Sequence, residues 1–468
     1  MRAAGQGHDR VSPVERGARD LHELTVTEAA SRIRARQLSP EDLLEALLAR
    51  IDAVEPHVEA WAHLDRDGAR AAARAAGDEA RRGIFRGPLH GVPIGLKDII
   101  HAAGLPTEAN SGVLKGFVPR QDATVVTRLR AAGAVILGKL TTAEFAASTI
   151  GPKTHNPWNL DHTPGGSSSG SAAAVASAMV PGAFGSQTGG SIIRPSAYCG
   201  IVGLKATYGR ISLHGVIPCA WTQDHLGPMT RSVADAALLF QTTAGHDPLD
   251  PCSASAPVPD CLGALTRRRP PRIGLARDYF FDRATREVVD ATERAVARLA
   301  SAGAEVREVR MPRAIEAAQA AVSTIMQSES ASYHRQYLAT RADRYHPWLR
   351  ARLEAGSLIP AECYLQALRI RLRFRRDVEE ALTGLDAIAT PTTPTVAPRT
   401  LASTGDPVFQ NMWTMAGVPT ITLPCGHGDA GLPLGLQLVG RALGEAALFS
   451  TAAWCEGVLG PATIPSVR

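Results

Sequence analysis

Leu43, Leu44, Leu47, Leu48 and Ile51 recur at the three- and four-residue spacing that one face of a helix buries. Just before them, Ser39-Pro40-Glu41-Asp42 supplies an N-cap, a first-turn proline and first-turn acids. An Ala/Arg/Asp-rich stretch from Asp65 to Arg82 predicts a second helix, and Gly91 to Leu96 reads as a short buried strand with Lys97 at its end. A helix from Ala123 to Ala132 leads into Ala134-Val135-Ile136-Leu137, a continuous apolar run typical of strands covered on both faces. The alternation resumes with a strand over Ile273 to Ala276, a helix over Glu287 to Ala302, a strand over Ala304 to Val309 and long helical stretches to about Leu385. Asp386 to Ala389, Val418 to Leu423 and Leu434 to Val439 are further apolar runs bounded by Pro or Gly. Strands alternating with helices predict one mixed α/β domain, and no repeat or heptad series competes with it.

At 468 residues the chain could hold more than one domain, but the pattern assigns residues 1–20 to a flexible arm and 21–468 to a single domain. A helical layer or lid is expected around 313–385. Apolar residues make up 45% and charged residues 20%, which fits a large core and excludes a disordered chain. The formal charge of +5 is small, and Arg is spread along helices opposite Glu and Asp, which argues against nucleic acid as the main ligand. The densest basic cluster, Arg267, Arg268, Arg269 and Arg272, sits among prolines and reads as a solvated turn. Seven cysteines without a C-x-x-C pair predict reduced thiols, a cytoplasmic location and no metal. No apolar core for a signal peptide lies near Met1, and no apolar run reaches the ~20 residues that cross a bilayer, so no membrane role is expected.

Chemistry concentrates in two loops. Thr163-Pro164-Gly165-Gly166-Ser167-Ser168-Ser169-Gly170-Ser171 runs straight into the helix-forming Ala172 to Ala176. Gly185-Ser186-Gln187-Thr188-Gly189-Gly190-Ser191 follows as a second glycine-serine turn, in which paired glycines allow consecutive N–H groups to face one point and hold an oxyanion. A serine hydroxyl needs a base, and histidine is the usual one. Gly166 to Gly170 matches a G-x-S-x-G elbow, with His346 and His427 downstream in order, but the polar, proline-broken residues 156–164 cannot be the strand that such an elbow needs. Gly133 to Lys139 nearly matches a nucleotide-binding loop, yet Leu140 stands where Ser or Thr would bind magnesium.

Gly165 to Ser168, then Gly189-Gly190-Ser191 at a fixed interval, resemble the signature of the amidase signature family. Gly91-Val92-Pro93-Ile94-Gly95-Leu96-Lys97-Asp98 is similar to the family's lysine motif, and Cys199 to Lys205, His225 to Met229, Ala416 to Pro419 and Gly431 to Gln437 continue the match in order. The resemblance spans roughly residues 25–460, with the helical middle matched weakly. It implies a large twisted mixed sheet covered by helices on both faces. It also implies a cofactor-free hydrolase of amide or carbamate C–N bonds, with esterase or urethanase activity within reach.

Carried over by position, the resemblance makes Ser191 the nucleophile, Ser167 a relay preceded by a cis peptide bond, and Lys97 the base. Thr188, Gly189, Gly190 and Ser191 would supply the oxyanion hole, and Ser168 would support the network. Lys97 works only when neutral, so the apolar Val92, Ile94 and Leu96 would have to lower its pKa by desolvation; read without the family, it would sooner be a surface lysine paired with Asp98. Many members have Asp at Gln187 and Arg at Ile193, and losing both keeps the site neutral, so catalysis is expected to survive; Arg194 takes the next position. The acyl pocket is expected to draw on the helical middle and on Ser111 to Phe117, with Met412 and Trp413 as lining or as core. A small amide or carbamate is the expected partner, and a homodimer is compatible with this reading. The alternatives are the amidase subunit of a glutamine-dependent tRNA amidotransferase and an allophanate or biuret hydrolase.

Overall fold

The Ser39 hydroxyl accepts a hydrogen bond from the Asp42 N–H at 3.0 Å, so the first long helix starts where its capping sequence places it. The computed structural model describes residues 20–266 and 269–467. All but the last residue of the arm expected over 1–20 lies outside the described residues, as do Arg267 and Arg268.

Eleven strands form one sheet: β1 (Trp61–Leu64), β2 (Pro93–Lys97), β3 (Val135–Leu140), β4 (Gly182–Gln187), β5 (Val202–Lys205), β6 (His225–Thr230), β7 (Arg272–Leu275), β8 (Glu305–Glu308), β9 (Ala387–Pro391), β10 (Thr420–His427) and β11 (Pro433–Val439). Their order is β1-β3-β2-β4-β6-β5-β10-β11-β9-β7-β8. β2 pairs in parallel with β3 and β4, and β7 with β8 and β9, while the other pairs are antiparallel. The sheet is therefore mixed, as expected.

The helices of the first half are α1 (Val26–Arg34), α2 (Pro40–Val58), α3 (Arg66–Arg81), α4 (Thr124–Ala131), α5 (Ser169–Ala176), α6 (Ile193–Tyr198) and α7 (Val233–Thr243). Those of the second half are α8 (Cys261–Ala264), α9 (Arg286–Ser301), α10 (Ile315–Arg341), α11 (Pro347–Gly356), α12 (Ala361–Ala381), α13 (Asn411–Ala416) and α14 (Glu445–Leu459). Successive residues of a strand face opposite sides of its sheet, and Ala183 and Phe184 of β4 accordingly enter different apolar clusters. Ala183 packs with residues of α2, α3 and α5, whereas Phe184 packs with α1, α4, α7 and α14. Helices thus cover both faces.

Two expectations need correction. Gly185, Ser186 and Gln187 end strand β4, and the turn starts only at Thr188. Val135 to Leu140 is a fully buried strand, in line with the rejection of the nucleotide-loop match. Arginines are not everywhere paired: Arg369, Arg371, Arg373, Arg375 and Arg376 crowd onto α12, and none of them forms an ion pair among the described residues. All seven cysteines are free thiols. Among the described residues, no helix is long and apolar enough to cross a membrane.

Candidate active site

Lys97 is the last residue of β2 and is fully buried. Its Nζ donates to Ser167 Oγ at 2.6 Å and to Ser186 Oγ at 2.8 Å, across 70 and 89 residues of chain. The neighbouring Asp98 does not pair with it; Asp98 takes Lys139 Nζ at 2.9 Å instead. Burial without a contacting carboxylate pushes the Lys97 ammonium down to about 7. A base of that pKa is half neutral near physiological pH. kcat/KM for an amide should therefore climb about tenfold per pH unit below about 7 and level off above it. A profile that is flat from pH 5 to 8 would remove Lys97 as the base.

Burial alone does not mark the site. Lys205 is buried to the same degree and is also pushed down to about 7, but its Nζ bonds the carbonyls of Val418 and Ala206 and no serine. Contact with two hydroxyls distinguishes Lys97.

Ser167 lies in the loop that enters α5, and the Gly166–Ser167 peptide is cis. Ser168 pins this loop to β4: its Oγ donates to the Ser186 carbonyl at 3.2 Å and accepts the Ser186 N–H at 3.2 Å. Ser168 thus acts on backbone and forms no hydrogen bond to Lys97 among the described residues. Ser186, which the sequence does not single out, is the second hydroxyl on Lys97. Its place in the glycine-serine segment is the available signal.

Ser191 closes the second turn, half-buried, and its hydroxyl forms no hydrogen bond among the described residues. The two loops meet where the Ser168 N–H reaches the Ser191 carbonyl at 3.4 Å. The N–H groups of Gly189, Gly190 and Ser191 also donate to no described group, although both glycines are buried. Buried donors are nearly always satisfied, so three consecutive open ones mark a place where a negative oxygen can sit. The carbonyls, by contrast, are tied down. Gly189 O accepts Thr414 Oγ1 at 2.6 Å, and Gly190 O accepts the Arg194 N–H at 2.9 Å.

The glycines are needed for space and not for φ, because neither has a positive φ. A Cβ on Gly189 would come within 2.7 Å of Asn411 Oδ1, and one on Gly190 within 2.5 Å of Gln410 Oε1. Thr188 is held by its side chain, which donates to Asp224 Oδ1 at 2.5 Å.

Gln187 is fully integrated. Its Oε1 accepts the N–H groups of Ile192 and Ile193 at 2.8 and 2.9 Å, and its Nε2 donates to Thr414 Oγ1 at 2.9 Å. A neutral amide here does what an acid would do toward α6, without a buried charge. Gln187→Leu should cost about 2–4 kcal/mol by orphaning two buried N–H groups. Urea denaturation checks this, and a loss below about 0.5 kcal/mol would discard the account. Arg194, also buried, donates through Nη2 to Gly166 O at 2.6 Å and to Thr404 Oγ1 at 3.1 Å. Burial lowers its guanidinium to about 10, so it stays charged at neutral pH.

Met412 and Trp413 of α13 are fully buried in the apolar cluster that contains Phe280, Phe374 and Phe409, and Trp413 stacks on Phe280 with ring centroids 6.1 Å apart. Core packing accounts for both. The segment Val113 to Phe117 and the helical layer do meet, around a cavity of about 620 Å³ also lined by His101, Tyr333, Tyr337 and Arg341. Hydrogen bonds from Ile217 N to Ile99 O and from His101 N to Gly215 O tie its wall to the residues just after Lys97.

Sheet and loops together define an enzyme of the carbon–nitrogen-cleaving class. The chain matches the Amidase family over residues 42–449 and belongs to it. It is 41% identical to a Glutamyl-tRNA(Gln) amidotransferase subunit of Chloroflexus aggregans over 465 residues, covering 92% of this chain and 95% of that one. Its structure is similar to the peptide amidase of Stenotrophomonas maltophilia, with a TM-score of 0.85 at 33% identity over 95% of this chain and 99% of that one. A chain from a vestigial protein complex that reveals the evolutionary origins of an s-triazine catabolic enzyme superposes with a TM-score of 0.88 at 31% identity, covering 95% of this chain and 100% of that one.

Proposed function

We propose that this chain cleaves amide C–N bonds through an acyl-enzyme on Ser191. The observation that carries the proposal is the buried Lys97 amine 2.6 Å from Ser167 Oγ, beside the open N–H groups of Gly189 to Ser191. Lys97 takes the Ser167 proton as Ser167 takes that of Ser191, and Ser191 Oγ bonds to the substrate carbonyl carbon. The carbonyl oxygen, now negative, rests on the N–H groups of the turn. As the C–N bond breaks, the proton returns through Ser167 to the departing nitrogen. Water then attacks the acyl carbon, with the same groups acting in reverse order, and frees the acid. A carbamate would pass through a carbamoyl-enzyme by the same steps.

A second reading is favoured by the relatives. The 41% identity over 92% of the chain supports the amidase component of a tRNA amidotransferase, working on glutamine with partner proteins, over a stand-alone hydrolase. Gln187 and Ile193, where many members carry Asp and Arg, point the other way. We place residues 21–468 in one domain, with the helical layer as its variable part, and the free thiols suit a cytoplasmic enzyme.

The test is hydrolysis of an aryl amide, an aryl carbamate, an ester, allophanate and glutamine by the purified chain. Turnover of glutamine that depends on added partner proteins would support the amidotransferase reading. Turnover of another member by the chain alone would support the hydrolase. Inertness toward all five, with and without partners, would overturn both.

A further inference from the structure

Thr188 begins the oxyanion turn, and its hydroxyl is fixed by a loop that the catalytic scheme does not use. Asp224 lies at the end of that loop, just before β6, and is buried. Besides Thr188 Oγ1, its carboxylate accepts the Cys219 N–H at 2.8 Å and the Ala220 N–H at 3.1 and 3.0 Å. His225, the next residue, pairs with Gln187 across β6 and β4. Residues 219–225 therefore grip the turn from its side chain and from its strand.

The opposite edge of this loop is held by the helical layer. Glu329 of α10 is 2% exposed, yet its carboxylate has no cation in contact among the described residues. It accepts Thr222 Oγ1 at 2.6 Å, the Thr222 N–H at 3.0 Å and the Tyr364 hydroxyl of α12 at 2.8 Å. Arg371 of α12 adds donations to Thr222 O at 3.1 Å and to Thr222 Oγ1 at 3.0 Å, and Ser330 Oγ donates to Cys219 O at 2.7 Å. Burying a carboxylate costs free energy unless donors surround it, and a core position has cheaper ways to be filled. All three of its donors lie on the 219–224 loop or on α12.

We infer that Glu329 is a positioning residue through which the helical layer sets the oxyanion turn, by way of Thr222, Asp224 and Thr188. This rests on the proposed amide hydrolysis and extends it: the layer supports transition-state binding as well as covering the sheet. Loosening the clamp should hurt the transition state, in which negative charge sits on the turn, more than the bound substrate.

The test compares wild type, Ser191→Ala, Glu329→Gln, Thr222→Val and the milder Tyr364→Phe, using p-nitroacetanilide as substrate and a phenyl trifluoromethyl ketone as transition-state analogue. Glu329→Gln and Thr222→Val should each lower kcat about tenfold with KM within twofold, and should weaken ketone inhibition by the same factor. The double variant should be no worse than the worse single, because both cut one chain of contacts. Unchanged kcat, or a fall in kcat without weaker ketone binding, would overturn the inference, and so would losses that vanish once the folded fraction is accounted for. Tyr364→Phe keeps the test open if the buried variants fold poorly, and should shift kcat and ketone affinity together by about threefold. Wild type that forms no ketone adduct would bring down the hydrolase reading itself. An adduct that forms equally in wild type and Glu329→Gln would bring down only this inference.

Discussion

Ser191→Ala should reduce amide hydrolysis by about 10⁴-fold or more while leaving the fold intact. Ser191 is half-buried and its hydroxyl bonds to no group among the described residues, so removing one oxygen orphans none of them. The N–H groups of Gly189, Gly190 and residue 191 remain, and substrate binding should survive with KM little changed. Residual activity of about 10³-fold over water, from those donors alone, is the expected floor. The measurement is steady-state turnover beside a thermal melt. Activity retained within tenfold, with an unchanged melt, would require another nucleophile.

Lys97→Met carries the second large effect, and it has an unusual companion. Activity should fall by about 10³-fold or more, because Ser167 loses the one base in contact with it among the described residues. Stability should rise. The folded pKa of about 7 lies below the ordinary value of 10.5, so from pH 7 to 10.5 the unfolded chain holds a proton that the folded chain does not. Burial of this amine therefore opposes folding fully below about pH 7, and the opposition fades as pH rises toward 10.5. At pH 7 the shift corresponds to roughly 4 kcal/mol, from which the two lost serine hydrogen bonds must be subtracted. A melting temperature that rises as activity collapses is the signature of a catalytic lysine. A Met variant that is both active and destabilised would make Lys97 structural.

Much of the scaffold is legible directly in the chain. The Ser39 cap, the stripe from Leu43 to Ile51 and the apolar runs of β3, β9 and β11 are local patterns, and each forms the element its period predicts. β4, β5 and β6 are not legible, because Gly182 to Gln187, Val202 to Lys205 and His225 to Thr230 are rich in glycine or polar residues. They are strands because two neighbours supply their hydrogen bonds, a condition that no short window of sequence displays. The unpaired arginines of α12 escape a sequence reading for a different reason: the pairing of a charge is decided by what packs opposite it.

The candidate site divides along the same line. The chain itself determined the residue types: two glycine-serine loops on either side of one helix, and a lysine ending an apolar strand. Only the tertiary structure decided the partners. It gave Asp98 to Lys139, left Lys97 to Ser167 and Ser186, tied the carbonyls of Gly189, Gly190 and Ser191 while leaving their N–H groups open, and set Glu329 behind Thr188. Helical period, strand alternation and turn chemistry act over a few residues and are written locally. The contacts of a buried base depend on distances between groups 70 or more residues apart, which are set by packing the whole sheet.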